Sequence, residues 1–249
     1  FKSLEENTTG DDNVAVGANS LPANTTGDGN TALGRQTLRN NTTANNNTAV
    51  GNQALLSNTT GATNTAIGAN ALDANTTGSA NVAIGYNSLS ANTTGHTNIA
   101  IGHNSLLTNT TAINNIAIGA NTLQLSTSGT QNVAVGRYAG NSITTGENNI
   151  IIGYDADASS ATVDNQITLG NNSIATLRCN VQTISSLSDA RDKTNVIDLP
   201  EGLDFVTKLR PVKFEWATRD GNGKDGSYEH GFIAQDLQAA QKENNADYL

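Results

Sequence analysis

The chain has 249 residues, enough for two domains. It carries 22 acidic and 13 basic residues, and its formal net charge of −9 argues against nucleic acid or an anionic membrane surface as a partner. No apolar run approaches the ~20 residues of a membrane-spanning helix, the first residues lack the pattern of a signal peptide, and the single Cys179 cannot form an intrachain disulfide.

A glycine recurs every 17 residues through the first 170 residues, with no insertion or deletion. A fixed period of this length is typical of a solenoid, in which each period is one structural unit stacked on the next. Because the pattern is already under way at Phe1, we expect the chain to be part of a longer protein. The ten glycines are Gly17, Gly34, Gly51, Gly68, Gly85, Gly102, Gly119, Gly136, Gly153 and Gly170.

Each repeat contains a small residue, usually alanine, between two apolar or β-branched residues, as in Val82-Ala83-Ile84. Alternation with a period of two predicts a β-strand. A leucine four residues after the glycine, such as Leu89, predicts a second apolar ladder, and the Asn-Thr-Thr-Gly segment after it is rich in turn formers. We therefore predict a mainly β fold: a parallel β-roll over residues 1–170, with two short strands and two turns in each 17-residue coil.

Stacked coils place identical side chains about 4.7–4.9 Å apart. The asparagine before each predicted strand, such as Asn81, is therefore expected to form a ladder of amide hydrogen bonds along the stack. The Asn-Thr-Thr corners, such as the one at Asn92, also match the N-glycosylation pattern. A turn also favours asparagine at this position, and the repeat copies one such match into coil after coil. We therefore interpret these corners as turns and not as glycosylation sites.

A single coil of 17 residues encloses little volume. We therefore predict that the rod, roughly 45 Å long at the spacing of β-strands, buries further surface in a homotrimer around the fibre axis. The small alanines, such as Ala83 and Ala100, are expected to let the chains approach closely. A monomeric β-helix that is stable by itself is the alternative.

The 17-residue period ends and the charge density rises after Gly170. Residues 171–187 predict an extended neck, in which Cys179 is expected to be a small buried side chain. Residues 188–249 predict a small α+β domain from their apolar periodicity. Its expected elements are a helix after Pro200, strands over 212–216 and 228–233, and a short helix over 234–242.

Two motifs in this last segment are similar to those of the intramolecular chaperone of endosialidase-type phage tailspikes and fibres. They are Ser188-Asp189-Ala190-Arg191-Asp192-Lys193 and His230-Gly231-Phe232-Ile233-Ala234-Gln235-Asp236. The resemblance implies a domain that assembles a trimeric β-fibre and then releases itself by cutting before the serine of the first motif. The repeats themselves resemble the heads of trimeric autotransporter adhesins and the fibre shafts of phages.

The same resemblance implies that Ser188 is a nucleophile and Lys193 its base, with the scissile bond between Leu187 and Ser188. A serine hydroxyl needs a base to remove its proton, and a lysine serves only where desolvation lowers its pKa. The alternative is that Ser188 caps a helix and Lys193 is a solvated charge. Because the family's domain usually continues past the second motif, we expect a shortened domain here and a chain that remains largely uncut.

The position after each repeat glycine varies while its surroundings do not. Tyr86 and His103 occupy this position one coil apart, and we expect both rings to touch one sugar, with hydrogen bonds from Asn87 and Asn104. The alternative is that the residue at this exposed turn position varies because no function constrains it. The histidines and carboxylates fall into no cluster or ladder, so we expect no metal, no cofactor and no polysaccharide-cleaving site.

The sequence therefore predicts an extracellular virion component, a tail fibre of a phage or virus. The shaft is expected to be structural and to contribute to host attachment through a surface glycan or a protein receptor. Self-cleavage, which acts once per chain, is the single enzymatic activity expected. The head of a bacterial trimeric adhesin is the alternative.

Overall fold

The computed structural model describes residues 2–178, 208–215, 228–233, 236 and 239. The chain divides into two compact units, Phe1–Arg178 and Cys179–Leu249. In the described residues, the first unit is a parallel β-solenoid and the second contains an antiparallel pair of strands.

One strand of three residues per coil forms the sheet of the solenoid. Its ten strands follow one another in sequence order, and each is parallel to the next. The register is one repeat, so that Ala83 pairs with Ala66 on one side and with Ala100 on the other. The predicted β-solenoid of 17-residue coils is thereby confirmed. The strands are β1 (Val14–Val16), β2 (Thr31–Leu33), β3 (Thr48–Val50), β4 (Thr65–Ile67), β5 (Val82–Ile84), β6 (Ile99–Ile101), β7 (Ile116–Ile118), β8 (Val133–Val135), β9 (Ile150–Ile152) and β10 (Ile167–Leu169).

The predicted second strand of each coil is wrong, because the leucine ladder lies in a turn. The backbone at Leu89 and Leu106 is left-handed, with φ of 50° at both residues. That conformation costs a residue with a Cβ about 1–2 kcal/mol, whereas full burial of a leucine side chain is worth about 1.5–3 kcal/mol. Hydrogen bonds between coils also continue through the turn, as from the Leu89 N–H to the Ser105 carbonyl oxygen at 3.0 Å.

The core lies inside the coils and consists of two facing columns. Alanines of the strands, such as Ala83, and leucines of the turns, such as Leu89, have no exposed surface. A methyl group is the side chain that fits between the sheet and the bulky leucine. The expectation that the alanine column lets chains approach one another is therefore wrong, because these alanines are already buried within their own chain.

Two buried asparagine ladders run along the solenoid, and they confirm the predicted amide ladder. In the first, the Asn81 N–H donates to Asn64 Oδ1 at 3.0 Å, and Asn81 Nδ2 donates to the Gly95 carbonyl oxygen at 2.9 Å. In the second, at the Asn-Thr-Thr corners, Asn75 Nδ2 donates to Asn58 Oδ1 at 2.8 Å. From Asn24 to Asn109 these corner asparagines have no exposed surface, so they serve the turn and present no amide for glycosylation.

The repeat glycine is required at the corner that follows each strand. Gly85 has a φ of +133°, and a Cβ placed there would lie 2.5 Å from the carbonyl oxygen of Gly102 in the next coil. Both the backbone conformation and the close stacking therefore exclude a side chain. This double constraint explains why the glycine never varies.

The second unit contains β11 (Val212–Glu215) and β12 (Tyr228–Gly231). The two strands are antiparallel, with Val212 opposite Gly231. They confirm the two predicted strands, although the second ends at Gly231 and does not extend to Ile233. Lys208, Asp236 and Ala239 are helical, and the rest of the two predicted helices, like Cys179 and the later part of the predicted neck, lies outside the described residues. Residues 171–178 contain a turn and no strand.

Candidate functional site

The outer face of the solenoid sheet is aliphatic. Side chains alternate along a strand, so the two neighbours of each buried alanine lie on the outside. The neighbour that follows the alanine is valine, leucine or isoleucine in every coil, and Val16, Leu33 and Ile152 are between 43% and 55% exposed. We call this set the outer aliphatic column: Val16, Leu33, Val50, Ile67, Ile84, Ile101, Ile118, Val135, Ile152 and Leu169.

The outer aliphatic column is continuous along the solenoid. Ten strands at the usual spacing make it roughly 43 Å long. The column that precedes the alanines is threonine in β2, β3 and β4 and valine or isoleucine in the other strands, so it widens the apolar strip in most coils. Soluble monomers rarely expose long contiguous apolar surfaces, and such surfaces mark sites of association.

Tyr86 and His103 stack on each other just beyond the carboxyl ends of β5 and β6, two central strands of the same sheet. Their ring centroids lie 5.5 Å apart and their planes are inclined by 18°. Both side chains are exposed, Tyr86 to 50%. The predicted spacing of one coil is confirmed. Stacking occupies the face that each ring turns toward the other, so the opposite face of each ring is the one open to a ligand.

The asparagines beside these rings belong to a third amide ladder, which is interrupted between the two coils. Asn70 Nδ2 donates to Asn87 Oδ1 at 3.1 Å, and Asn104 Nδ2 donates to Asn121 Oδ1 at 3.3 Å. No hydrogen bond joins Asn87 to Asn104 in the described part of the chain, and Asn104 Oδ1 is buried without a partner. The Asn87 amide nitrogen keeps its N–H groups free for a ligand.

A polar groove of about 460 Å³ lies at the last coils and is lined by residues that include Asp155, Asp157 and Gln166. The Asp157 carboxylate accepts hydrogen bonds from the Ser142 hydroxyl at 2.8 Å and from the Ala158 N–H at 2.9 Å, so it orders the local turns. Within the described ranges, no three His, Cys, Asp or Glu side chains form a group that could hold a metal ion. No helix among those residues is long and apolar enough to cross a membrane.

The second motif of the C-terminal unit lies on β12 and immediately after it. His230 is opposite Lys213 across the pair of strands. Asp236 Oδ2 accepts from Arg210 Nη2 at 2.7 Å and from Arg210 Nε at 3.2 Å. The motif aspartate is thereby tied to the residue that leads into β11. Sequence reasoning missed Arg210, since a single arginine before a proline carries no pattern of its own.

The first motif lies outside the described residues, together with the cleavage site. Ser188, Lys193 and Leu187 are all in this part of the chain. Their roles as nucleophile, base and scissile-bond residue stay predictions.

The family described as chaperone of endosialidase matches residues 188–245. The matched segment contains both motifs and makes up less than a quarter of the chain. No curated protein and no solved structure was found to match the chain. The family match joins the C-terminal segment to a repeat architecture that is typical of fibres. The chain is a β-solenoid protein that carries a chaperone domain of the endosialidase type.

Proposed function

We propose that this chain is part of a homotrimeric tail fibre of a phage or virus, carried on the virion and used in host attachment. The solenoid is the shaft, and the chaperone domain assists assembly and is then released by self-cleavage before Ser188. The observation that carries the proposal is the outer aliphatic column, whose ten members are each exposed or partly exposed in the single chain.

The partner that fits this column is a second and a third copy of the same chain. Every coil places an aliphatic side chain at the same position, so parallel copies bring like residues together coil by coil. Closed rotational symmetry gives each copy an identical environment around one axis. Removing the aliphatic surface from water supplies the driving force, at roughly 25 cal/mol per Å².

A repeat of this regularity also makes it difficult for chains to associate in one register without assistance. Coils resemble one another so closely that two chains shifted by one coil still match most of their apolar positions. Misregistered association is a characteristic failure of such architectures. A domain that joins three chains before the shaft forms would fix the register from one end, and this need supports the assembly role proposed for residues 188–245.

The head of a bacterial trimeric adhesin is the second candidate, because its repeats resemble those of the shaft. It would use the same outer aliphatic column. The match to the chaperone of endosialidase family favours the fibre.

Light scattering on the purified chain and on a variant with Ile67→Glu and Ile118→Glu tests the trimer. Both side chains are 38% exposed in the single chain, so glutamate is compatible with the coil itself. We expect three times the chain mass for the wild type and one chain mass for the variant, because buried charges cost far more than they return. Circular dichroism reports whether the solenoid persists.

Tyr154→Glu is the matched control, since Tyr154 is exposed and lies outside the outer aliphatic column. Its mass is expected to equal that of the wild type. A monomeric wild type at micromolar concentration contradicts the proposal, and so does a double variant that stays trimeric with an unchanged melting temperature.

A further inference from the structure

We propose that Tyr86, Ala69 and Asn52 form a slot that binds one ring of a neutral glycan. The inference deepens the host attachment proposed above and rests on it for the biological origin of the glycan. We call this set the Tyr86 slot.

The shape of the slot follows from the column of residues that come after the repeat glycines. Ala69 lies one coil before Tyr86, and Asn52 lies one coil before Ala69. The Ala69 side chain ends at its Cβ and is partly exposed. The face of the Tyr86 ring on the side of Ala69 is therefore uncovered for the height of one coil. The Asn52 side chain lies roughly 9.5 Å from Tyr86, which is two strand spacings along the stack.

A sugar ring fits this space. An apolar face in contact with an aromatic ring lies about 3.5–4.0 Å from it, which is less than one coil spacing. A pyranose stacked on Tyr86 would therefore lie over Ala69, with its hydroxyl groups toward the amide of Asn52. Asn52 is exposed and makes no side-chain hydrogen bond within the described part of the chain, so its donor and acceptor are both free.

His103 supports the slot from behind. Its ring stacks on the face of Tyr86 that is turned away from Ala69, at a centroid distance of 5.5 Å. The stack keeps the plane of the tyrosine ring roughly perpendicular to the direction in which the coils follow one another. Because the ring is already held, less rotamer freedom is lost when a ligand binds. His103 is thus a positioning residue, and Tyr86 is the contact residue.

The charge distribution selects a neutral ligand. Asn52, Ala69, Tyr86 and His103 are uncharged, and the nearest cation in the same column is Arg35, one coil beyond Asn52 and roughly 14 Å from Tyr86. Asp73 accepts a hydrogen bond from the Ser90 hydroxyl at 2.7 Å, and the Arg137 guanidinium lies 4.6 Å from the centre of the Tyr138 ring. A ring stacked on Tyr86 therefore meets an aromatic face and the neutral amide of Asn52, which suit hydroxyl groups. Arg35 lies beyond Asn52, so the contact face itself has no cation for a carboxylate or sulfate.

Ligand-observed NMR on the full chain tests the slot directly. The probes are lactose, maltose and diacetylchitobiose, with a glucuronate-containing disaccharide as the anionic comparison. We expect at least one neutral disaccharide to bind and the anionic one not to bind. Tyr86→Ala should weaken binding about tenfold or abolish it, and His103→Ala should weaken it by a smaller factor.

Three substitutions separate the slot from the other residues that follow a repeat glycine. Ala69→Leu fills the slot without removing either ring and is expected to block binding. Ala120→Leu is its counterpart on the other side of the ring pair, beside His103, and is expected to leave binding unchanged. Tyr154→Ala removes an exposed tyrosine from the same column and should also have no effect.

The inference is overturned if no neutral disaccharide binds at millimolar concentration, or if Ala69→Leu binds as the wild type does. It is equally overturned if Tyr86→Ala lowers the melting temperature of a trimer that binds no sugar, since the rings would then be an interchain contact. The mass in solution is measured on the same samples. A trimer without sugar binding contradicts this inference alone, and a monomer that binds sugar contradicts the fibre assembly alone.

Discussion

The corner asparagines show how one residue type stabilises a stack. An amide carries both a donor and an acceptor, so Asn75 can donate to Asn58 in the coil before it and accept from Asn92 in the coil after it, at 2.8 Å and 2.9 Å. Each corner asparagine from Asn24 to Asn92 donates in this way to the asparagine of the coil before it. The ladder therefore runs without interruption from Asn7 to Asn92.

The ladder ends at Asn92: Asn109 does not donate to Asn92, and the position after Asn109 is Ser126 instead of asparagine. Four buried atoms around this step have no hydrogen-bond partner: Asn92 Oδ1, Asn109 Nδ2, Asn109 Oδ1 and Ser126 Oγ. The serine hydroxyl is shorter than an asparagine amide and does not reach Asn109. Unpartnered buried polar atoms each cost about 1–3 kcal/mol, so this step is a local weakness of the shaft.

Ser126→Asn is expected to extend the ladder and to raise the free energy of unfolding by about 1 kcal/mol, since it supplies Asn109 with a partner. Thermal unfolding of the variant and of the wild type measures the change. The reciprocal variant, Asn75→Ser in the intact part of the ladder, should lower stability. An unchanged or lower melting temperature for Ser126→Asn would show that the gap at Asn109 carries no cost.

At the scale of the element, two successive late coils keep the core filled by exchanging a large and a small residue. The leucine column has a glycine at Gly140, and the alanine column has an isoleucine at Ile151 in the next strand. A Cβ at Gly140 would lie 2.8 Å from Leu123 Cδ2 and 3.1 Å from Ile151 Cδ1, so the isoleucine, together with Leu123, fills the space of the missing leucine. Ile151 has no exposed surface. The core is therefore continuous, although here the large side chain is in the alanine column and the small residue is in the leucine column.

This exchange predicts strong coupling between the two positions. Ile151→Ala alone should cost about 2–5 kcal/mol through the cavity it leaves, and Gly140→Leu alone should be destabilising because the space is taken. The double variant restores the ordinary repeat, and its cost is expected to be well below the sum of the two. Denaturant unfolding of the four proteins measures this difference, and strictly additive costs would disprove the exchange.

At the scale of the whole molecule, the shaft has one design throughout, and its two faces have different roles. The alanine and leucine columns are buried within the single chain, whereas the outer aliphatic column is exposed or partly exposed. Consecutive coils are hydrogen-bonded to each other within one chain. The outer aliphatic column is thus the surface that the proposed trimer would bury, with its register set by the chaperone domain.

Self-cleavage is tested by mass spectrometry of the full chain after expression. We expect any released fragment to begin at Ser188, and we expect Ser188→Ala and Lys193→Ala to abolish its formation, because one removes the nucleophile and the other its base. Ser186→Ala is the matched control and should be cut to the same extent as the wild type. A fragment beginning at residue 188 from the Ser188→Ala protein would exclude the proposed mechanism.

The sequence by itself determined the solenoid, its 17-residue period and the parallel register. A glycine such as Gly85 in all ten coils and an asparagine such as Asn81 in nine of them fix which residues stack, because a shift of even one residue would misplace every ladder. The sequence also determined the spacing of Tyr86 and His103, and its two C-terminal motifs indicated the family that matches residues 188–245. All of these follow from periodicity and from motifs, which are local properties of the chain.

The tertiary structure alone decided which way the columns face. A ladder of leucines predicts a strand as readily as a turn, and only the closed coil shows that Leu89 takes a left-handed backbone in order to reach the core. An alanine column is equally consistent with an interface or an interior, and the coil places Ala83 inside because a leucine stands across from it. The open side of Tyr86 was likewise set by Ala69 one coil away. Periodicity records what repeats, but the direction of a side chain depends on residues from neighbouring coils that meet in space after the chain has folded.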